Sequence, residues 1–153
     1  MVSFDKIVNN VIYEADIILL IIDARRVKES INKKIEEQIL SKKKKFMYII
    51  NKCDLITKEE QQKIKLDNSL QISATKHWGT MRLLQKIMLL GKGKDVVVGV
   101  VGYPNTGKST VINALKGKHS APTSSKSGYT KGLQKIRISR KIMLLDTPGV
   151  FSF

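Results

Sequence analysis

A single cysteine, Cys53, stands in 153 residues, so no internal disulfide can form, and the chain reads as one kept in a reducing compartment, the cytoplasm. No apolar run approaches the roughly 20 residues that a membrane-spanning helix needs. The two longest, 17–22 and 96–101, have the length of strands. The first residues hold Asp5 and one lysine ahead of a mixed segment, without the charged start and extended apolar core of a signal peptide. Acid is scarce as well: 13 Asp and Glu stand against 28 Lys and Arg, a formal net charge of +15. That imbalance suits a polyanionic partner such as RNA. A lysine-rich proteome would also enrich Lys and Ile and keep proline rare, but acids would then rise with the lysines, and they do not.

What is present is a chain with 42% hydrophobic residues, enough for one globular core. Helix and strand signals alternate along it. Phe4, Ile7, Val8, Val11 and Ile12 are spaced as one helix face, and 15–22 is a continuous apolar run ending at Asp23, the pattern of a parallel strand buried on both faces. Ile31, Ile35 and Ile39 recur every four residues before a second strand, 46–50, that delivers Asn51. Thr57 with Glu60 predicts a capping box, and 70–73 a third strand. Thr80 is read as the cap of a helix whose Met81, Leu84, Ile87 and Met88 share a face and which Gly91 ends. A linker at 91–95 joins the half 1–90 to the half 96–153. There, 96–101 is a fourth strand, Val111, Ile112 and Leu115 mark a helix ended by Gly117, and 118–132 is a polar loop. Strands at 134–139 and 142–145 bring the expected total to six. The fold class is α/β, a six-stranded, mostly parallel sheet between two layers of helices.

Gly102-Tyr-Pro-Asn-Thr-Gly-Lys-Ser109 follows a strand and precedes a helix. Glycines there let backbone amides wrap a phosphate chain, which makes Asn105, Thr106, Gly107, Lys108, Ser109 and Thr110 candidate phosphate-binding residues. Lys108 would reach the terminal phosphates and Ser109 would offer its hydroxyl to magnesium, while the helix N-terminus favours negative charge. Such a loop does not choose between ATP and GTP. Asn51-Lys52-Cys53-Asp54 makes that choice, because the Asp54 carboxylate can accept from the guanine N1 and N2 donors, which adenine does not supply together. Charge-assisted bonds are worth about 1.5–3 kcal/mol each, and adenine would leave the carboxylate unpaired. Standing alone the tetrapeptide is weak, since Asn and Asp are common in turns. Ser73-Ala74-Thr75, at the next strand end, strengthens it, and Asp146-Thr-Pro-Gly149 follows the last strand. In a Ras-like GTPase the Gly-Lys-Ser loop comes first. Here it comes after the guanine-reading element, the order of a circular permutation.

With these motifs the chain resembles the YlqF/YawG family of circularly permuted GTPases, many of which assist ribosome assembly, over nearly its whole length. The resemblance implies a three-layer P-loop GTPase fold with strands in the spatial order fifth, sixth, fourth, first, second, third. Asp23-Ala24-Arg25 is similar to the family's Asp-Ala-Arg element, Asn51, Lys52 and Asp54 to its guanine-reading element, and Ser73-Ala74 to its second base contact, made through a backbone amide. Gly128-Tyr129-Thr130 resembles the first switch, with Thr130 on magnesium and the terminal phosphate. Asp146-Thr-Pro-Gly149 resembles the second, with Asp146 holding magnesium through water and the Gly149 amide facing the terminal phosphate. The implied catalytic set is Lys108, Thr130 and Gly149, and the implied magnesium set Ser109, Thr130 and Asp146.

The chain also departs from relatives. Val150 stands where Ras-like enzymes have a glutamine that orients the attacking water. The resemblance is to GTPases that are slow alone and are stimulated by a partner or by potassium, and Asn105 is where potassium-dependent relatives often have a cation-binding asparagine. No histidine precedes His77, whereas some members have one near the N-terminus. His77 and Trp78 read as a surface loop or core edge, and Lys42 to Lys45 as a candidate RNA-facing patch or a solvated helix end. Relatives usually continue beyond the point where this chain stops. Either the helix near 4–14 replaces the usual second-switch helix, or a C-terminal partner segment is missing from a truncated or split protein. The expected function is GTP and GDP binding with magnesium, slow GTP hydrolysis, and switched association with a ribosomal subunit or rRNA. The alternative is a guanine-nucleotide or RNA-binding module without useful turnover, and GTPases of tRNA modification or ion transport are a third class.

Overall fold

The two continuous apolar runs lie side by side: β1 (Ile17–Asp23) pairs in parallel with β4 (Val96–Gly102) at the centre of the sheet. The computed structural model describes residues 4–117, 121–124 and 133–146. Every residue of β1 is buried, as a strand covered on both faces requires. β2 (Lys45–Asn51) and then β3 (Ser69–Gln71) extend the sheet in parallel on one side. β7 (Ile142–Asp146) extends it in parallel on the other, followed by antiparallel β6 (Gln134–Ser139) and β5 (Ala121–Ser124). The order is β3-β2-β1-β4-β7-β6-β5.

All six expected strands are present in the expected order, and β5 adds a seventh. It falls within the stretch read from sequence as loop. Four residues, Ala-Pro-Thr-Ser, pairing on one side only at a sheet edge, need no apolar alternation, so no periodicity announces them.

Alternation along β1 distributes its side chains to two layers. Ile18 and Leu20 face α1 (Phe4–Glu14) and α2 (Lys33–Ser41), packing with Val8, Val11, Ile12, Ile35 and Ile39. Ile17, Leu19 and Ile21 face α4 (Thr80–Leu90) and α5 (Lys108–Lys116), packing with Leu83, Ile87, Val111 and Leu115. Each fully buried aliphatic side chain contributes roughly 1.5–3 kcal/mol, so this three-layer sandwich is the main source of stability. No helix among the described residues is long and apolar enough to cross a membrane.

Local signals are met at α2 and α3 (Lys58–Lys63). The Asn32 side chain caps the first, and Thr57 and Glu60 form the expected reciprocal capping box at the second. At α4 two expectations are corrected. Its N-cap is Gly79, at φ 81°, and Thr80 is the first helical residue. Of the expected stripe, Ile87 is buried and Leu84 packs against the core, but Leu83 takes the buried place beside Ile87 while Met81 and Met88 are exposed. The helix is apolar almost all round, so spacing alone supports either stripe, and packing against α5 and the sheet selects the branched pair.

The lysine run is divided. Lys44 Nζ donates to the carbonyls of Tyr13 (3.1 Å) and Ala15 (2.7 Å), and Lys45 Nζ to that of Leu90 (2.9 Å). These two side chains cap the C-terminal ends of α1 and α4, where a cation complements the helix dipole. Lys42 and Lys43 are exposed.

Candidate nucleotide site

Four parallel strands, β3, β2, β1 and β4, end on one side of the sheet, which is where open α/β sheets bind ligands. Each end carries one of the sequence motifs. Asn51, the last residue of β2 and 2% exposed, ties two of them together. Its Oδ1 accepts from the Ala74 amide (3.0 Å) and its Nδ2 donates to the Thr106 carbonyl (3.1 Å). One buried amide thereby fixes the loop after β3 and the loop after β4 in a single geometry. Gly107, at φ 94°, completes the fit, since a Cβ there would stand 2.3 Å from Asn51 Nδ2.

Lys52 follows in the left-handed region, at φ 69°. That turn directs its ammonium back across the site, where Nζ donates to the Asn105 carbonyl (2.5 Å) and lies 3.5 Å from Asp23 Oδ2. Asp23 is held in turn by Arg25, through Nε (3.1 Å) and Nη2 (2.9 Å), and its own amide donates to Ser30 Oγ (2.9 Å). Burial pushes the Asp23 carboxyl upward, but the hydrogen bonds and charge of Arg25, with the charge of Lys52, outweigh it and hold the group below its ordinary value. The Asp-Ala-Arg element thus positions Lys52 against the Gly-Lys-Ser loop. A cleft of about 360 Å³ beside it is lined by Asp23, Arg25, Tyr103 and Asn105 among others.

Asp54 lies half-buried beyond Lys52, with Oδ1 accepting from Ser73 Oγ (2.8 Å). In the Gly-Lys-Ser loop, Thr106 Oγ1 donates to the Tyr103 carbonyl, and Lys108 Nζ donates to that of Gly102 (2.9 Å). Burial of Lys108 lowers its pKa to about 8. Ser109 and Thr110 are exposed in the first turn of α5. Asp146, at the end of β7, pairs with Lys116 Nζ (3.1 Å). The hydroxyl of Ser109 and the carboxylate of Asp146 are hard oxygen donors of the kind magnesium takes. Among the described residues no three His, Cys, Asp or Glu form a metal cage, and magnesium held by phosphate oxygens needs only one or two protein ligands. Thr130 and Gly149, with Gly128, Tyr129 and Val150, lie outside the described residues.

Sequence reasoning missed two participants. Ser30 and Lys116 carry no motif signal, being seven and thirty residues from the aspartates they contact. For Asn51, which matches the guanine-reading element, the structure adds hydrogen bonds to the two neighbouring loops that no sequence signal announces.

A parallel sheet with a Gly-Lys-Ser loop and an Asn-Lys-x-Asp element at adjoining strand ends, in this chain order, defines the P-loop GTPase fold in a circularly permuted form. Comparison with known proteins agrees. A family model described as 50S ribosome-binding GTPase matches residues 97–152. An uncharacterized GTP-binding protein of Methanocaldococcus jannaschii is 45% identical over 97% of this chain and 42% of its own length. The nuclear GTP-binding protein NUG1 of Saccharomyces cerevisiae is 34% identical over 97% of this chain and 34% of its own length. Among solved structures, GNP-bound YlqF from T. maritima shares the fold, with TM-score 0.61 at 22% identity, covering 98% of this chain and 59% of that one. The chain shares the circularly permuted fold of YlqF, and it spans less than half the length of the curated relatives named here.

Proposed function

We propose that the chain binds GTP and GDP with magnesium, hydrolyses GTP slowly, and changes its affinity for a ribosomal subunit or rRNA with the bound nucleotide, in the cytoplasm. The observation that carries this reading is the pair of hydrogen bonds by which Asn51 joins Ala74 and Thr106, holding the loop after β3 and the Gly-Lys-Ser loop together. Asp54, oriented by Ser73, reads the guanine edge, and the Ala74 region meets its oxygen. Lys52 lies along the base side of the phosphate loop, and the Asn105–Thr110 segment wraps the phosphates. Lys108 meets the terminal phosphates, where its charge offsets the negative charge of the transition state. Ser109, Asp146 and Thr130 are the residues that would hold magnesium, which when bound neutralises phosphate charge. The Gly149 amide would face the terminal phosphate.

Ribosomal association is supported by the descriptions of the matching family model and by the net charge of +15. Val150 in place of a water-orienting glutamine supports slow turnover and favours one second reading, a nucleotide or RNA-binding module without useful hydrolysis. Multiple-turnover GTP hydrolysis, alone, with potassium and with ribosomal subunits, decides between them. Turnover that rises with either addition supports the enzyme, and its absence under all three conditions supports the module.

A further inference from the structure

A cleft of about 840 Å³ lies between α3, the edge strand β3 and the start of α4. Its lining includes Trp78 and Arg82 at and beside the start of α4, Lys58 and Gln62 of α3, and Gln71 of β3. Of the guanine-reading element only the buried Cys53 lines it, while Asn51, Lys52 and Asp54, like Ala74, do not. Trp78, the chain's single tryptophan, is 53% exposed. An indole left this open is held there by its backbone. Trp78 exchanges both amide hydrogen bonds with Ser73 (2.9 and 3.0 Å), between His77 at φ 59° and Gly79 at φ 81°. The lining residues include two bases and no acid. Glu60, on the same helix as Lys58, turns its carboxylate back to the Thr57 amide.

We propose that this cleft binds single-stranded RNA, with a base stacked on Trp78, phosphates met by Arg82 and Lys58, and the Gln62 and Gln71 amides available to base edges. The inference rests on the RNA-binding part of the proposed function and names the surface that serves it. A rigid, exposed aromatic face beside cations is how single strands are held without a duplex groove to read. The positive lining matches a polyanion and repels basic or positively charged peptides. Because the Trp78 backbone is paired with Ser73, and the Ser73 hydroxyl with Asp54, the stacking platform and the guanine-reading carboxylate share one support.

The test uses the full chain and a 12-residue oligouridylate, titrated with and without GDP and magnesium, and follows Trp78 fluorescence. Quenching on binding is expected. By fluorescence anisotropy of labelled RNA, Trp78→Ala should weaken binding about tenfold and Trp78→Phe much less. Arg82→Ser should weaken it and reduce the salt slope by about one. A fluorescent-GDP titration of each variant should be unchanged. Absence of RNA binding, binding without quenching, or equal RNA affinity of Trp78→Ala and the parent would overturn the proposal. Trp78-dependent RNA binding without GDP binding would instead overturn the nucleotide reading and leave this one standing.

Discussion

Asn51 Nδ2 occupies the space that any side chain on Gly107 would need, at 2.3 Å from the position of a Cβ. Gly107→Ala therefore combines a direct clash with a left-handed backbone that an L residue adopts at a cost of about 1–2 kcal/mol. Asn51→Ala strands the Ala74 amide and the Thr106 carbonyl, at roughly 1–3 kcal/mol for each buried group left unpaired. Either change should lower the urea midpoint and weaken GDP binding at least tenfold. Nucleotide affinity at the parent level in Asn51→Ala would show that the two loops hold their positions without it.

Asp23 links Arg25 to Lys52. Since its folded pKa is depressed, the stability it confers is fully present above the unfolded value of about 4 and is lost as pH falls through the folded value. Asp23→Asn should remove that part of the acid sensitivity and cost about 1–2 kcal/mol near neutral pH, a figure reduced by the exposure of Arg25. Urea unfolding from pH 2 to 7 checks it, and parallel curves for parent and variant would contradict it.

Lys108 behaves in the opposite sense. Burial lowers its pKa to about 8, so the unliganded protein should gain stability as pH rises from there toward the ordinary lysine value of about 10.4. Phosphates favour the charged form, so GDP binding near pH 9 should take up a proton and weaken above pH 8. Calorimetry in buffers of different ionisation enthalpy reads the uptake directly, and buffer-independent heats near pH 9 would refute it.

The rotation of α4 has a stability signature. Leu83→Ala, which opens a hole in the core, should cost about 2–5 kcal/mol, whereas Met88→Ser on the exposed side should change stability by less than about 0.5 kcal/mol. Comparable losses in the two variants, by urea unfolding, would place both side chains in the core.

The strands themselves were legible because buried parallel strands read as unbroken apolar runs, with β1 and β4 the clearest, whereas their spatial order followed from the family resemblance that the motifs at their ends carry. The capping box at Thr57 and the helix end at Gly91 were likewise local signals. What could not be read is whatever depends on a distant partner. Asn51 meets Thr106 across 55 residues, and neither residue announces the other. On α4 Leu84 and Ile87 were legible but not the choice of Leu83 over Met81 and Met88, because these residues offer two apolar stripes and only the packed neighbours distinguish them. Edge strand β5, paired on one side, left no pattern to find.

Titration of the purified chain with fluorescent GDP, with ATP as competitor and Asp54→Asn alongside, bears most directly on the permuted guanine site. The Asp54 carboxylate, held by Ser73, should give micromolar or tighter binding that ATP does not displace and that the variant weakens at least tenfold, the equivalent of about 1.4 kcal/mol or more. Binding that ATP displaces equally well, or that Asp54→Asn leaves unchanged, would contradict guanine recognition at this site.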